Sequence, residues 1–221
     1  EGHCFLTTRQ IITNTLELLK EAIDPERLSA VLKALLSENE VRVRRLNVEG
    51  DETEDCFYSK GLYYDELKVA DTVRTFLGKS MERDRERIQS WVSRYCKKSG
   101  IQLSDEQYAA VCSIPGQSFS VLTGGPGCGK TTCTEVLVKL LKAMQLNVTL
   151  AAPTGRAAQR MTEVIGLEAK TIHRLLEWAP SKAGFNFDEE TPIQTDFLIL
   201  DEVSMLDITL AAAVLKAVPK S

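Results

Sequence analysis

The sequence predicts an α/β protein: a parallel sheet with flanking helices, preceded by a small helical unit that carries a β-ribbon. Three observations predict it. Residues 100–218 alternate apolar runs of strand length with helical patterns, the order that builds a parallel sheet. Gly124-Gly125-Pro126-Gly127-Cys128-Gly129-Lys130-Thr131 fits G-x-x-x-x-G-K-[ST] between an apolar run and an amphipathic helix, the setting in which that pattern is a phosphate loop. Phe197-Leu198-Ile199-Leu200 is apolar on both faces and ends in Asp201-Glu202, as suits a strand covered on both sides.

From the N-terminus, helical periodicity runs over Thr7 to Glu21 and over Pro25 to Ser37. The second helix has Asp24 as its cap and Pro25 in its first turn, a strong start signal. Val41-Arg42-Val43-Arg44 and Asp55 to Tyr58 read as two strands around the acidic turn Glu49-Gly50-Asp51-Glu52-Thr53-Glu54, a solvated loop. Residues 65–98 read as one or two helices with a weak point at Gly78. Residues 1–99 are thus expected to form a winged-helix-like domain and residues 100–221 an α/β lobe.

Arg83, Arg85, Arg87, Arg94, Lys97 and Lys98 lie near Trp91 and Tyr95. An aromatic and basic track of this kind can hold a nucleic-acid strand. The preferred reading is plainer. Ile88, Trp91, Val92 and Tyr95 make one apolar face, and the arginines alternate with Glu82, Asp84 and Glu86 as a salt-bridged surface.

In the lobe, strands are expected near 119–123, 147–152 and 197–201, and helices near 104–113, 130–145, 155–165, 171–178 and 207–218. Three strands are few for such a core. The sheet is therefore expected to continue beyond Ser221. The start at Glu1 and the end just past a helix read as cuts in a longer chain.

The glycine pattern carries chemistry. Glycines let successive N–H groups point into one concavity, and the helix N-terminus adds partial positive charge. Gly125, Gly127, Cys128, Gly129, Lys130, Thr131 and Thr132 are the candidate nucleotide contacts. Lys130 would reach the β- and γ-phosphates, and the Thr131 hydroxyl would ligate Mg²⁺. Cys128 fills a variable loop position. About seventy residues downstream, Asp201 is the second candidate metal ligand, and Glu202 the candidate for polarising the attacking water. Phosphoryl transfer is mostly positioning and charge neutralisation, so Lys130, Asp201 and Glu202 form the catalytic set of one half-site.

Bulk properties exclude other classes. A net charge of −4 makes no global case for nucleic acid. Residues 1–99 carry 17 basic and 18 acidic groups, and residues 100–221 carry 10 and 13. Any nucleic-acid contact must come from a local track. None of the six cysteines forms C-x-x-C, and there are two histidines, which argues against zinc and for reduced thiols in the cytoplasm. No signal peptide or membrane-length apolar stretch is present.

Three further segments complete a set. Leu103-Ser104-Asp105-Glu106-Gln107 precedes the loop, with Gln107 lying 23 residues before Lys130. Ala152-Pro153-Thr154-Gly155-Arg156-Ala157-Ala158-Gln159-Arg160-Met161 follows the second strand, and Thr171-Ile172-His173-Arg174-Leu175-Leu176 opens a helix. With the phosphate loop and Asp201-Glu202-Val203-Ser204-Met205-Leu206-Asp207, the set resembles superfamily 1 DNA helicases of the RecD-like group. Five motifs share that family's order over about residues 100–210. Residues 1–99 look more loosely like the segment before the motor in its free-standing members.

The resemblance implies a RecA-like P-loop NTPase lobe that uses ATP and Mg²⁺ and moves 5′→3′ on single-stranded DNA, with possible protein partners in DNA repair. Gln107 would read the adenine edge, although Ser104-x-x-Gln107 is also a capping box, as is Thr7-x-x-Gln10. Pro153, Thr154, Gly155 and Arg156 would line the strand channel, with Thr171 and His173 near it. Backbone amides and a hydroxyl at a strand-to-helix turn are natural phosphate donors. Family members carry a second lobe whose arginines complete the ATP site, and no such motif follows Asp207. This chain is expected to bind nucleotide and hydrolyse it poorly. Two alternatives stay open: an RNA helicase of the same superfamily, and a non-catalytic module in which ATP toggles a partner surface.

Overall fold

The computed structural model describes residues 3–20, 24–48, 52–79 and 81–219. The chain divides into two compact units, Glu1–Ala70 with Asp207–Ala212, and Asp71–Leu206 with Ala213–Ser221.

In the first unit, a short strand β1 (Phe5–Thr7) leads into α1 (Thr8–Leu19). Thr7 and Gln10 close the capping box that their spacing predicts: Thr7 N donates to Gln10 Oε1 at 3.0 Å, and Gln10 N to Thr7 Oγ1 at 3.3 Å. Helix α2 (Pro25–Ser37) starts on Asp24, whose Oδ1 accepts from Glu26 N at 3.0 Å. Strands β2 (Val41–Val48) and β3 (Glu52–Ser59) form the predicted ribbon, each longer than the four residues expected. Cross-strand pairs extend both: Arg45 with Asp55 at 3.1 Å, and Thr53 with Asn47 at 3.1 Å. The turn at 49–51 lies outside the described residues, as does the end of the first predicted helix at Glu21. The missed strand β1 pairs antiparallel with β3, giving the order β1-β3-β2. Three residues are too few for an alternation to be visible.

Helix α3 (Lys60–Leu77) ends just before Gly78, the predicted weak point, and α4 (Arg85–Ser99) follows. Among the described residues, no ion pair joins the arginines to Glu82, Asp84 or Glu86 as expected, and Asp84 has another task. It caps α4, its Oδ1 accepting from Arg87 N at 3.0 Å. A short acid ahead of a helix gains more from satisfying an orphan N–H than from an exposed ion pair. The apolar face is as read: Ile88 and Val92 are buried, and Trp91 stacks on Tyr95 at 5.0 Å beside them.

The second unit is built around α6 (Lys130–Ala143). Cys133, Val136 and Leu140 face Ile88 and Val92 of α4 and Val111 of α5 (Asp105–Ser113). Leu137, Val138 and Leu141 face Val148 and Leu150 of β4 (Val148–Ala152) and Met161 and Ile165 of α7 (Gly155–Ile165). A helix with two apolar stripes must be covered twice, and this one is. The sheet has the order β5-β4-β8, all parallel, with β5 at Ala169–Thr171 and β8 at Phe197–Leu200. Helix α8 (Ile172–Leu176) follows β5, and a small antiparallel pair follows it: β6 (Trp178–Ala179) with β7 (Gly184–Phe185). The last helix is α9 (Ile208–Ala217), capped by Asp207 Oδ1, which accepts from Leu210 N at 2.7 Å. This is the α/β P-loop NTPase fold.

One expected strand is absent. Phe119-Ser120-Val121-Leu122-Thr123 has no ladder partner, and Val121 is 73% exposed. The residues just before it are tied to the chain between α3 and α4: Met81 N donates to Gly116 O at 3.3 Å, and Ser118 Oγ to Lys79 O at 3.0 Å. An apolar run of five is a strand only if an edge pairs with it, because its own N–H and C=O groups need partners. Among the described residues, β8 pairs through β4 alone.

Candidate nucleotide-binding site

The phosphate loop is shaped by two left-handed glycines, Gly127 at φ +76° and Gly129 at φ +69°. Gly129 is also the N-cap of α6 and gives that helix no side-chain cap. Helices α1, α2, α4, α5, α7 and α8 each have their first N–H groups satisfied by a Thr, Asp or Ser side chain. The α6 N-terminus therefore offers bare donors and the positive end of its dipole. Lys130 Nζ donates to Gly124 O at 2.7 Å and Gly125 O at 3.0 Å, two of the three donors of an ammonium. Thr131 and Thr132 are half-buried in the first turn, and Cys128 is exposed. The chemistry of this donor set fits an anionic phosphate chain.

Gln107 touches the loop directly. Its Oε1 accepts from Ser104 N at 2.8 Å, completing the α5 capping box, while its Nε2 donates to Cys128 O at 2.9 Å. The capping box and the spacing to Lys130 are legible in the sequence. The bond to a carbonyl inside the loop is visible only in three dimensions.

Asp201 and Glu202 sit where β8 ends. Asp201 N donates to Ala151 O at 3.0 Å, one step beyond the ladder, and Asp201 Oδ1 accepts from Glu202 N at 2.9 Å. Glu202 takes φ +53°, turning the chain into a 3₁₀ turn at Val203–Met205. Asp201 is half-buried and Glu202 exposed. Among the described residues, no hydrogen bond or ion pair joins either acid to the 124–131 loop.

Parallel strands bring their carboxyl ends to one edge of a sheet, where ligands of such folds bind. At the end of β4, Thr154 caps α7, its Oγ1 accepting from Ala157 N at 3.3 Å. Pro153 is half-buried beside it, and Gly155 and Arg156 are exposed. Thr171 lies opposite Ala152 in the ladder and caps α8 through Arg174 N at 3.3 Å. Sequence reasoning missed β5, and with it the reason that Thr171 stands level with Ala152 at the end of β4. His173 packs on Phe185 with ring centroids 5.9 Å apart, and Phe185 meets Trp178 edge-on at 5.1 Å. Two aromatics flanking Pro180 and Gly184 were the available signal for this hairpin cluster.

The AAA domain family matches residues 107–221. The chain belongs to this family, in its RecD-like superfamily 1 group. It is 41% identical over 154 residues to an ATP-dependent RecD2 DNA helicase of Deinococcus radiodurans, covering 70% of this chain and 21% of that protein. It is 36% identical over 138 residues to the RecBCD enzyme subunit RecD of Mycolicibacterium smegmatis, covering 52% of this chain and 25% of the subunit. It is 35% identical over 114 residues to the ATP-dependent DNA helicase dda of phage T4, covering 48% and 26%. The aligned region thus spans about a fifth to a quarter of these relatives' length. No helix among the described residues is long and apolar enough to cross a membrane.

Proposed function

We propose that this chain is the nucleotide-binding lobe of an ATP-dependent DNA helicase that moves 5′→3′ on single-stranded DNA. The uncapped N-terminus of α6, entered through two left-handed glycines and opened by Lys130, carries the proposal. Gly125 to Thr132 would cradle the phosphates. Thr131 and Asp201 would hold Mg²⁺, which when bound neutralises phosphate charge. Glu202 would orient the attacking water. Gln107 keeps one amide hydrogen and one lone pair free for an adenine edge.

Pro153, Thr154, Gly155, Arg156, Thr171 and His173 form the proposed strand contacts, supported by their shared edge of the sheet. The residues before 100 are proposed to act as an accessory domain, and DNA-repair proteins as partners. The relatives' names support DNA over RNA as the substrate class. A supplied arginine is worth about 10³–10⁵ in rate in related phosphate chemistry, so the chain alone is expected to bind nucleotide and turn it over slowly.

The test is titration of fluorescent Mg·ADP into the chain and its Lys130→Ala variant. Loss of a charge-assisted contact worth about 1.5–3 kcal/mol should weaken binding at least tenfold. Equal affinities would remove Lys130 from the site.

A further inference from the structure

We infer that Gln107 is a positioning residue: it struts the phosphate loop through the Cys128 carbonyl and ties that loop to the N-cap of α5. The inference rests on the loop being a phosphate site and adds a role to Gln107 that does not involve the base.

The amide has two ends with two tasks. Oε1 accepts from Ser104 N at 2.8 Å, which locks the side chain at the start of α5, while Ser104 Oγ accepts separately from the Gln107 backbone N at 3.3 Å. Nε2 then donates to Cys128 O at 2.9 Å, 21 residues along the chain. Cys128 is exposed, and its own N–H makes only a long bond to Gly125 O at 3.4 Å. The Gln107 bond holds the carbonyl of the peptide between Cys128 and Gly129, and it is shorter than the bond made by the N–H of the peptide before it. That peptide leads into the left-handed Gly129, whose turn aims the first N–H groups of α6.

Gly129 reports the same closeness. A Cβ there would stand 2.7 Å from Gln107 Nε2. Glutamine is flexible, but moving this one breaks its bond to Cys128. Gly129 is therefore required twice, by its φ and by the strut. The platform beneath is firm. Val111 of α5 is buried against Cys133 and Val136 of α6, so the two ends of the strut are held at a fixed separation.

Two measurements on the whole chain decide the inference. The first is the rate at which a disulfide reagent labels Cys128, assigned by comparison with Cys128→Ser and read without nucleotide. The second is calorimetry with Mg·ATP and with Mg·tripolyphosphate, which offers phosphates and no base. Gln107→Glu keeps an acceptor for Ser104 N but puts an oxygen against the Cys128 carbonyl. Gln107→Leu removes both bonds, and Ser104→Ala removes the Ser104 half of the cap alone.

Both Gln107 variants should label Cys128 several-fold faster and bind both phosphate ligands about threefold to tenfold more weakly, as loss of one hydrogen bond implies. Ser104→Ala, at a comparable melting temperature, should do neither. Tripolyphosphate affinity left unchanged while ATP affinity falls would make Gln107 a base reader and overturn the strut. Unchanged labelling in both Gln107 variants would overturn it too. If the parent chain binds neither ligand, the nucleotide reading fails by itself, and the labelling rates still decide the strut.

Discussion

Tyr58 shows how a single side chain sets a pH dependence. It is 1% exposed, and its hydroxyl donates to Glu66 Oε1 at 3.3 Å. Burial first, and then the Glu66 carboxylate, push its phenol up to about 12. An unfolded tyrosine ionises near 10. The folded state therefore holds this proton more tightly, and the stability this provides is complete below pH about 10. It falls as the pH rises toward about 12. Stability measured by urea midpoints at steps from pH 9 to 11.5 should decline more steeply in the parent chain than in Tyr58→Phe. Parallel curves would mean that Tyr58 does not couple to folding.

Other residue-scale features were legible as patterns with two meanings. Thr7-x-x-Gln10 and Ser104-x-x-Gln107 both form capping boxes. Among the described residues, only the second has its amide nitrogen bonded to a distant carbonyl. Local spacing cannot tell them apart, because the distinguishing contact is long-range.

Helix α6 is the element on which the second unit depends. It reads from the sequence as an amphipathic helix after a glycine loop, with Val136, Leu137, Leu140, Leu141 and Met144 at helical spacing. The structure divides those residues between two cores, one toward α4 and α5 and one toward the sheet. Leu140 is 1% exposed and packs toward α4 and α5. Leu140→Ala should cost about 2–5 kcal/mol. Exposed Lys142→Ala, on the same helix, should stay within about 0.5 kcal/mol. Denaturant midpoints of the two variants check this, and a small effect at Leu140 would mean that the two-sided packing collapses around the cavity.

For the molecule as a whole, charge decides what kind of nucleic-acid contact is available. With a net charge of −4, binding has to come from a few local groups, and Arg156 at the start of α7 is the exposed cation among the proposed contacts. Single-stranded DNA should bind weakly and lose affinity steeply with salt, each neutralised phosphate adding about 0.7 to the log–log slope. Arg156→Ala should lower both affinity and slope while leaving nucleotide binding intact. Fluorescence anisotropy at several salt concentrations reads both. Identical affinity and slope would place the strand elsewhere, with the basic helix α4 the next surface to test.

The sequence by itself determined the parts that local chemistry dictates. The glycine loop, the cap at Asp24, the capping boxes at Thr7 and Ser104, the break at Gly78 and the two-faced apolar strand ending in Asp201 all rest on contacts within a few residues or on a strict periodicity. Tertiary structure alone decided the rest. It made Ala169–Thr171 a strand, because three residues become one only when β4 lies beside them. It left Phe119–Thr123 outside the sheet, because an apolar run becomes a strand only when an edge pairs with its backbone. It also gave Gln107 a partner in Cys128, because packing α5 on α6 brings together groups that 21 residues of chain keep apart.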